Sequence, residues 1–473
     1  MTDFDFIVLG GGSAGYAAAS TAAALGLRVA VVEGAQEVGG LCILRGCMPS
    51  KTLIESANRF LALRQASEFG LVTGPVGFSA PEMQARKRRW VGEFADYRAK
   101  QLESGRFEFI RGWAAFVDPH CVEIRTPEGA LRRLTSRTFL LATGSRLKIV
   151  EVPGLQELGY WTSDEVLTAT HVPKSVIILG GGATGVEFAH FYSALGTEVT
   201  LIQRSEQLLK EMDGDVARSL AAAYRKRGIN VVCHTQLVRA ERAGEGLKRI
   251  VFTHAGKTRA VEAQEIIYTL GREPQLAGLD LQKAGLETTH GHLAVGRTQQ
   301  TGVPHLFAAG DVAGPYEIVH IAVQQGELAA RNAARLVKGA SEDEATRTLE
   351  EMDYRLRLSV IFSEPQIAVA GVTERELQGE GALYRVATYP FDDHGKALIM
   401  GETDGFVKLL ACEESGEIVG AAAVGPHASE LIHEIVVAMR FRATARQLAE
   451  IPHYHPTLSE IWSYPAEELA GGM

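Results

Sequence analysis

Cysteine is scarce in this 473-residue chain, with five in all, at positions 42, 47, 121, 233 and 412. That excludes a disulfide-stapled scaffold, which crowds its cysteines into a short chain. Long apolar runs are lacking as well. No stretch reaches the roughly 20 apolar residues that a membrane-spanning helix needs, and the Ala-rich stretch Ala17 to Leu25 reads as a helix packed close to a sheet. Positive charge is not in excess. The 48 Lys and Arg stand against 57 Asp and Glu, a formal net charge of −9, which argues against a nucleic-acid surface. The short cluster Arg86-Lys87-Arg88-Arg89 reads as a solvated helix face. The opening residues lead straight into a strand from Phe6 to Leu9 without a basic n-region or cleavage site. No secretory signal is expected, and a cytoplasmic location is.

Glycine, by contrast, is abundant at 50 residues. Phe6-Ile7-Val8-Leu9-Gly10-Gly11-Gly12-Ser13-Ala14-Gly15 returns as Val176-Ile177-Ile178-Leu179-Gly180-Gly181-Gly182-Ala183-Thr184-Gly185, and the offset of 170 residues holds without a gap to Val29 and Val199. Each copy reads as strand, Gly-rich turn, helix, strand. Each fits the dinucleotide fingerprint: Gly10 and Gly180 for the tight turn, Gly12 and Gly182 for approach of a pyrophosphate, Gly15 and Gly185 for helix–strand packing. The helix N-terminus then holds the pyrophosphate. One such fingerprint is weak evidence, and two in register are strong.

The copies differ at their ends. Glu33 offers a carboxylate to ribose hydroxyls, whereas the offset places Gln203 at the matching position, followed by Arg204. Loss of the acid removes repulsion against a 2′-phosphate, and an adjacent Arg can pair with it, with Lys210 near enough to assist. The first copy should bind a dinucleotide with a free 2′-hydroxyl, and the second should prefer NADPH. Against this stands Arg204 as a plain surface-loop residue.

Just past the first copy, Cys42 and Cys47 lie in the run Gly39-Gly40-Leu41-Cys42-Ile43-Leu44-Arg45-Gly46-Cys47-Met48-Pro49-Ser50-Lys51. Zinc would need a second ligand pair, and none is found, so no metal is expected. In an ideal helix residues five apart have Cα atoms about 8–9 Å apart, but a disulfide needs about 7 Å or less. The segment must be distorted, and Gly46 makes that easier. A strained, accessible disulfide beside a cofactor able to reduce it is the catalytic kind.

These residues resemble the flavoprotein disulfide reductases, the class I pyridine nucleotide-disulfide oxidoreductases that include dihydrolipoyl dehydrogenase, glutathione reductase and mercuric reductase. Both fingerprints, with Glu33 and Glu187, carry the resemblance. So do the cysteine run to Lys51, Ala142-Thr143-Gly144, Gly271-Arg272-Glu273-Pro274, Ala309-Gly310-Asp311 and His453-Tyr454-His455-Pro456-Thr457-Leu458-Ser459-Glu460. It implies FAD at the first unit, NADP(H) or NAD(H) at the second, Asp311 at the flavin ribityl chain, and Lys51 and Glu187 near the reactive flavin edge. Singly, Asp311 reads equally as a turn residue, Lys51 as a helix cap and Glu187 as a helix-surface acid. The resemblance also implies that Cys47 faces the flavin and Cys42 exchanges with substrate. His455, oriented by Glu460, would be the acid–base group, because an imidazole titrates near neutrality. It would come from the partner subunit of a homodimer with a shared active site. Glu460 has a second reading, because Pro456 suits a first helical position and Thr457 to Glu460 fits a capping box.

Among the relatives, the segment from His320 to Gly326 looks lipoyl-type, Ser20 replaces the Arg expected of a glutathione reductase, and the C-terminal cysteine pair of mercuric reductases is missing. Gln203-Arg204 and Leu41 depart from the lipoyl pattern. The expectation is a dihydrolipoyl-dehydrogenase-like oxidoreductase shifted toward NADP(H), acting on a small disulfide or dithiol or on a lipoylated protein. The alternatives are a glutathione-reductase-like or mercuric-reductase-like enzyme, or a flavin redox sensor without turnover. The fold class is α/β, with two Rossmann-like domains and a C-terminal α+β dimerisation domain. The expected boundaries are 1–146 and 273–348 for the FAD domain, 147–272 for the NAD(P) domain and 349–473 for the interface domain. The stretch Glu342 to Glu351 suits a solvated helix or linker. The loop Asp392-Asp393-His394-Gly395-Lys396 falls in the interface domain without an assigned role.

Overall fold

The computed structural model describes residues 2–339 and 347–471. The chain divides into two compact units. One comprises Met1–Thr52, Ala85–Ile149 and Gly271–Asp353, and the other Leu53–Gln84, Val150–Leu270 and Tyr354–Met473.

In the first unit, strand Phe4–Leu9 pairs in parallel with Val29–Glu33 on one side and with Leu131–Leu141 on the other. Glu108–Arg111 and Leu306–Ala308 extend the sheet, also in parallel. Ile7, Val8, Val31 and Leu140 are fully buried, as expected of strands covered on both faces. Leu131–Leu141 serves two sheets, for its first half pairs antiparallel with Cys121–Arg125, which pairs in turn with Trp113–Asp118. Helix Ser13–Ala24 buries Ala14, Ala18, Ala19 and Ala22. Side chains this small let it lie close to the sheet, as the sequence suggests.

The second unit repeats the plan. Ser175–Leu179, Glu198–Ile202, Asn230–Val232 and Glu265–Tyr268 form a parallel sheet, and Thr235–Arg242, Lys248–His254 and Lys257–Ala263 form a three-stranded antiparallel one. The internal repeat therefore runs beyond the fingerprints into the added antiparallel strands.

The C-terminal region forms a five-stranded antiparallel sheet in the order Leu358–Ile361, Gln366–Gly371, Ile418–Gly425, Phe406–Cys412, Tyr384–Pro390. Helix Ala428–Arg440 and the fully buried Trp462 pack in its core, and the Trp462 indole donates to Leu431 O at 3.1 Å. The sequence predicts strands at Ser359 to Phe362, Tyr384 to Tyr389, Gly405 to Leu410 and Ile418 to Val424, and each matches one of these to within two residues. Gln366–Gly371 was not expected, because an Ala- and Gly-containing run shows no clear alternation. Lys408, on strand Phe406–Cys412, is buried and meets Asp213 and Asp215 at 2.8 Å each and Glu374 at 3.2 Å. Burial alone would raise the Asp213 carboxyl, but Lys408 and two backbone N–H groups outweigh it and hold it below the usual range.

One reading needs correction. In helix Ala80–Leu102, Arg86, Arg88 and Arg89 are exposed, but Lys87 is buried and burial lowers its pKa. The stretch Glu342 to Glu351 lies partly outside the described residues. Within it, Glu350 pairs with Arg331 at 2.9 Å and with Arg335.

Candidate active site

The first fingerprint folds into a cradle. Gly10 has φ +107°, and a Cβ there would lie 2.3 Å from Ala142 O. A Cβ on Gly15 would lie 1.9 Å from Gly10 O. The second copy repeats both figures, with Gly180 against Thr269 O at 2.3 Å and Gly185 against Gly180 O at 1.9 Å. These glycines are demanded by the protein's own backbone. Gly12 and Gly182 are not, for their φ values are −69° and −80° and the nearest atom to an added Cβ is 3.8 Å away at Gly12 and beyond 4 Å at Gly182. Free space at these positions suits a closely approaching pyrophosphate, so the residues present fit a dinucleotide in each copy. A cavity of about 1030 Å³ opens at the first cradle, lined by Gly10, Gly12, Glu33, Gly40, Thr143 and Gly144 among others.

The acid and amide at the strand ends make matching contacts. Glu33 Oε2 accepts from Gly11 N at 2.9 Å, and Gln203 Oε1 accepts from Gly181 N at 3.0 Å. Their second atoms differ in polarity, because Glu33 Oε1 accepts from Ala35 N at 2.8 Å while Gln203 Nε2 donates to Gln207 O at 3.3 Å. Gln203 is buried and Arg204 is exposed. Lys210 pairs with Glu211 at 3.0 Å.

At the other side of the first unit, Thr143 Oγ1 donates to Gln275 O at 2.6 Å, and Gly144 O accepts from Gln275 N at 2.9 Å. Asp311 and Arg272 converge on Ser145. The Ser145 hydroxyl donates to Asp311 Oδ2 at 2.6 Å and accepts from Arg272 Nε at 2.8 Å. Gly271, with φ +117°, turns the chain into the short strand Arg272–Pro274. The amide of Gln325, fully buried in helix Val319–Lys338, accepts from Gly310 N at 2.8 Å and donates to Gly314 O at 2.9 Å, which fixes the loop that carries Asp311. Ser145, Gln275 and Gln325 were not singled out from sequence. Ser145 directly follows Gly144, and Gln325 lies in the lipoyl-type segment, so position was the only signal.

The cysteines sit where one helix breaks into another. Gly40–Arg45 carries Cys42, Gly46 interrupts at φ −131° and ψ −115°, and Cys47–Arg64 begins with Cys47. A Cβ on Gly46 would lie 2.9 Å from Leu41 O and 3.3 Å from Cys42 Cα. The expected distortion is therefore a real break, and glycine permits it. Both residues are thiols here and hydrogen-bond to each other. That bond first, and then burial, pushes the Cys42 thiol far above the ordinary range, while the Lys51 charge pulls weakly the other way. Gly40, Leu41 and Leu44 of the cysteine helix also line the cavity.

In the second unit Glu187 is buried rather than a surface acid, and its Oε1 accepts from Phe362 N at 3.0 Å. His455 is 79% exposed, and Glu460 Oε2 meets its Nδ1 at 3.0 Å. A proton on Nδ1 leaves Nε2 as the free basic nitrogen. The expected capping box is not made, because the helical turn Ser459–Trp462 has no side-chain cap and Thr457 Oγ1 bonds Ser459 Oγ at 3.1 Å instead. His453 is held by Glu434 at 2.7 Å.

Residues 4–326 match the family described as pyridine nucleotide-disulphide oxidoreductase, and residues 358–465 match its dimerisation domain. The chain belongs to this family. Its members are FAD-dependent enzymes that use a nicotinamide nucleotide, and the matched dimerisation domain supports a homodimer. Two relatives are the dihydrolipoyl dehydrogenases of Bacillus subtilis, 31% identical over 97% of this chain and 96% of that one, and of Chlamydia muridarum, 33% identical over 98% and 96%. LpdA from Mycobacterium tuberculosis superposes with a TM-score of 0.86 at 28% identity, covering 98% of this chain and 99% of that one. The HOCl-induced flavoprotein disulfide reductase RclA from Escherichia coli, solved as a Cu(II) complex, has a TM-score of 0.84 at 24% identity and covers 99% and 100%, and it shares the fold. Among the described residues no helix is long and apolar enough to cross a membrane.

Proposed function

We propose that this enzyme is a dihydrolipoyl-dehydrogenase-like disulfide oxidoreductase that works through Cys42 and Cys47 and prefers NADP(H). Its substrate would be a small disulfide or dithiol, or a lipoylated protein. The observation that carries the reading is the hydrogen-bonded thiol pair at the helix break, on a helix that lines the glycine cradle. Bound flavin, served by the nicotinamide nucleotide, supplies the electron pair that reduces the Cys42–Cys47 disulfide to the dithiol.

The remaining steps belong to the chain's own groups. Cys42 attacks one sulfur of the substrate disulfide as a thiolate, and a mixed disulfide forms. Its thiol resists ionisation, so a base must take the proton. His455 Nε2, in the subunit facing this cysteine pair, accepts it and passes it to the departing substrate thiolate. Cys47 then attacks Cys42, which releases the second thiol and restores the disulfide. Two electrons and two protons have gone to the substrate. Lys51 and Glu187 would lie near the reacting flavin edge, and Asp311, held by Ser145, at the ribityl chain.

The NADP(H) preference rests on the missing carboxylate at Gln203 and the exposed Arg204 beside it. Anaerobic stopped-flow mixing with NADPH and with NADH tests it. Fast flavin bleaching by NADPH is expected. Fast bleaching by NADH alone would remove the preference, and bleaching by neither would remove the reductase reading.

A further inference from the structure

Glu460 faces a second histidine. His394, at the start of helix Gly395–Met400, has no exposed side-chain surface, and its Nε2 lies 3.6 Å from Glu460 Oε1. The other carboxylate oxygen serves His455 Nδ1 at 3.0 Å. One carboxylate thus stands between an exposed imidazole and a buried one.

Two aromatic rings flank His394. The rings of Phe391 and Tyr464 stand edge-on to it, at 6.4 Å and 6.2 Å between centroids. Tyr464 stacks on Tyr389 at 3.9 Å, and the Tyr389 hydroxyl is engaged with Asp393 at 3.0 Å. Among the described residues neither ring nitrogen of His394 has a hydrogen-bond partner. Buried polar groups rarely go unpaired, and an apolar ring would fill such a space at lower cost. Burial lowers the His394 pKa, with Glu460 opposing and the nearby His455 adding to it. A neutral ring has one N–H to give, and the carboxylate that Nε2 faces is Glu460. At 3.6 Å the contact is too long for a hydrogen bond, but a small turn of either side chain would close it.

We propose that His394 is a positioning residue, whose Nε2–H holds the second oxygen of Glu460 so that the first stays aimed at His455. The inference rests on the reading of His455 as the acid–base group. With His394 in place the carboxylate has one orientation. Without it the carboxylate can rotate, and the imidazole of His455 loses its fixed aim at the reacting thiol.

The test uses the flavin-loaded dimer, NADPH and lipoamide as the disulfide probe. His394→Leu and His394→Met should each lower kcat about tenfold, the scale of a mis-aimed catalytic group, with KM for lipoamide unchanged. Flavin bleaching by nucleotide, which precedes any demand on His455, should keep its rate. His394→Gln, which keeps an N–H, should restore most of kcat. Glu460→Gln should lower kcat too, and adding His394→Leu to it should cost nothing more. Wild-type kcat in His394→Leu beside an inactive His455→Ala would overturn this inference alone, as would a full further loss in the double variant. An active His455→Ala would overturn the acid–base reading beneath it. Loss of flavin from both His394→Leu and His394→Met would make the ring a packing element and would also overturn the proposal.

Discussion

The hydroxyl of Ser145 donates to Asp311 Oδ2 at 2.6 Å and accepts from Arg272 at 2.8 Å. Two segments of the first unit that are distant in sequence are tied through one small side chain at the cavity proposed for flavin. Ser145→Ala leaves the carboxylate without its donor. Because a hydrogen bond to a charged group is worth about 1.5–3 kcal/mol, flavin should be held some tenfold or more less tightly. Release of flavin on dilution, followed by fluorescence, measures it.

The cradle glycines should separate into two kinds. Gly182→Ala meets no protein atom within 4 Å, so the fold should survive with the nucleotide's KM raised about tenfold, while Gly185→Ala puts its methyl 1.9 Å from Gly180 O and should lower thermal stability or yield. Melting curves and KM values on the same two variants check both halves. Equal melting temperatures would contradict the steric assignment.

Thiol reactivity should rank the cysteines in the reduced protein. Hydrogen bonds from the Ser415 side chain and nearby backbone lower the Cys412 pKa, whereas the Cys47 bond and burial raise that of Cys42. Burial raises Cys121 and Cys233 as well. Since the thiolate is the reactive form, iodoacetamide near neutral pH should label Cys412 before Cys121 and Cys233. Peptide mass mapping over time gives the order, and early labelling of Cys121 or Cys233 would contradict their burial.

Lys408 is surrounded by Asp213, Asp215 and Glu374. Lys408→Met removes the cation and leaves the buried Asp213 carboxylate, with the half-buried Asp215 and Glu374, uncompensated, which should cost about 3 kcal/mol in denaturant unfolding. The pH dependence has a definite sign. The Asp213 carboxyl is lowered in the fold, so its stabilising share is whole above about pH 4, the unfolded aspartate range, and is lost as pH falls through the folded value. The wild type should therefore weaken on acidification, and the Lys408→Met variant should weaken less steeply.

What the sequence revealed was local or repeated. The two fingerprints and the break between Cys42 and Cys47 depend on neighbours within a few residues, and both were legible. Ser145 with Asp311 was not, because the partners are 166 residues apart and neither belongs to a spacing rule. His394 was visible only as part of an unassigned loop, since its relation to Glu460 needs the interface sheet to form. At Thr457 two local rules competed. The capping pattern was present, but Glu460 turns to His455 and the cap is not made. Strand Gln366–Gly371 lacked the alternation that would mark it, although it lies inside the sheet.

The single nitrogen that distinguishes Gln203 from Glu33 also steers the chain beyond it. At the first cradle the side chain accepts a hydrogen bond from Ala35 N in the following turn, and at the second it donates one, to Gln207 O at 3.3 Å. A carboxylate at 203 would set two acceptors against each other with no hydrogen between them. Residues 204–207 would have to find another path, and Arg204 rides on that path. On the proposed NADP(H) reading, Gln203→Glu would disturb the turn that carries Arg204 while adding a negative charge, and both effects would move preference toward NAD(H).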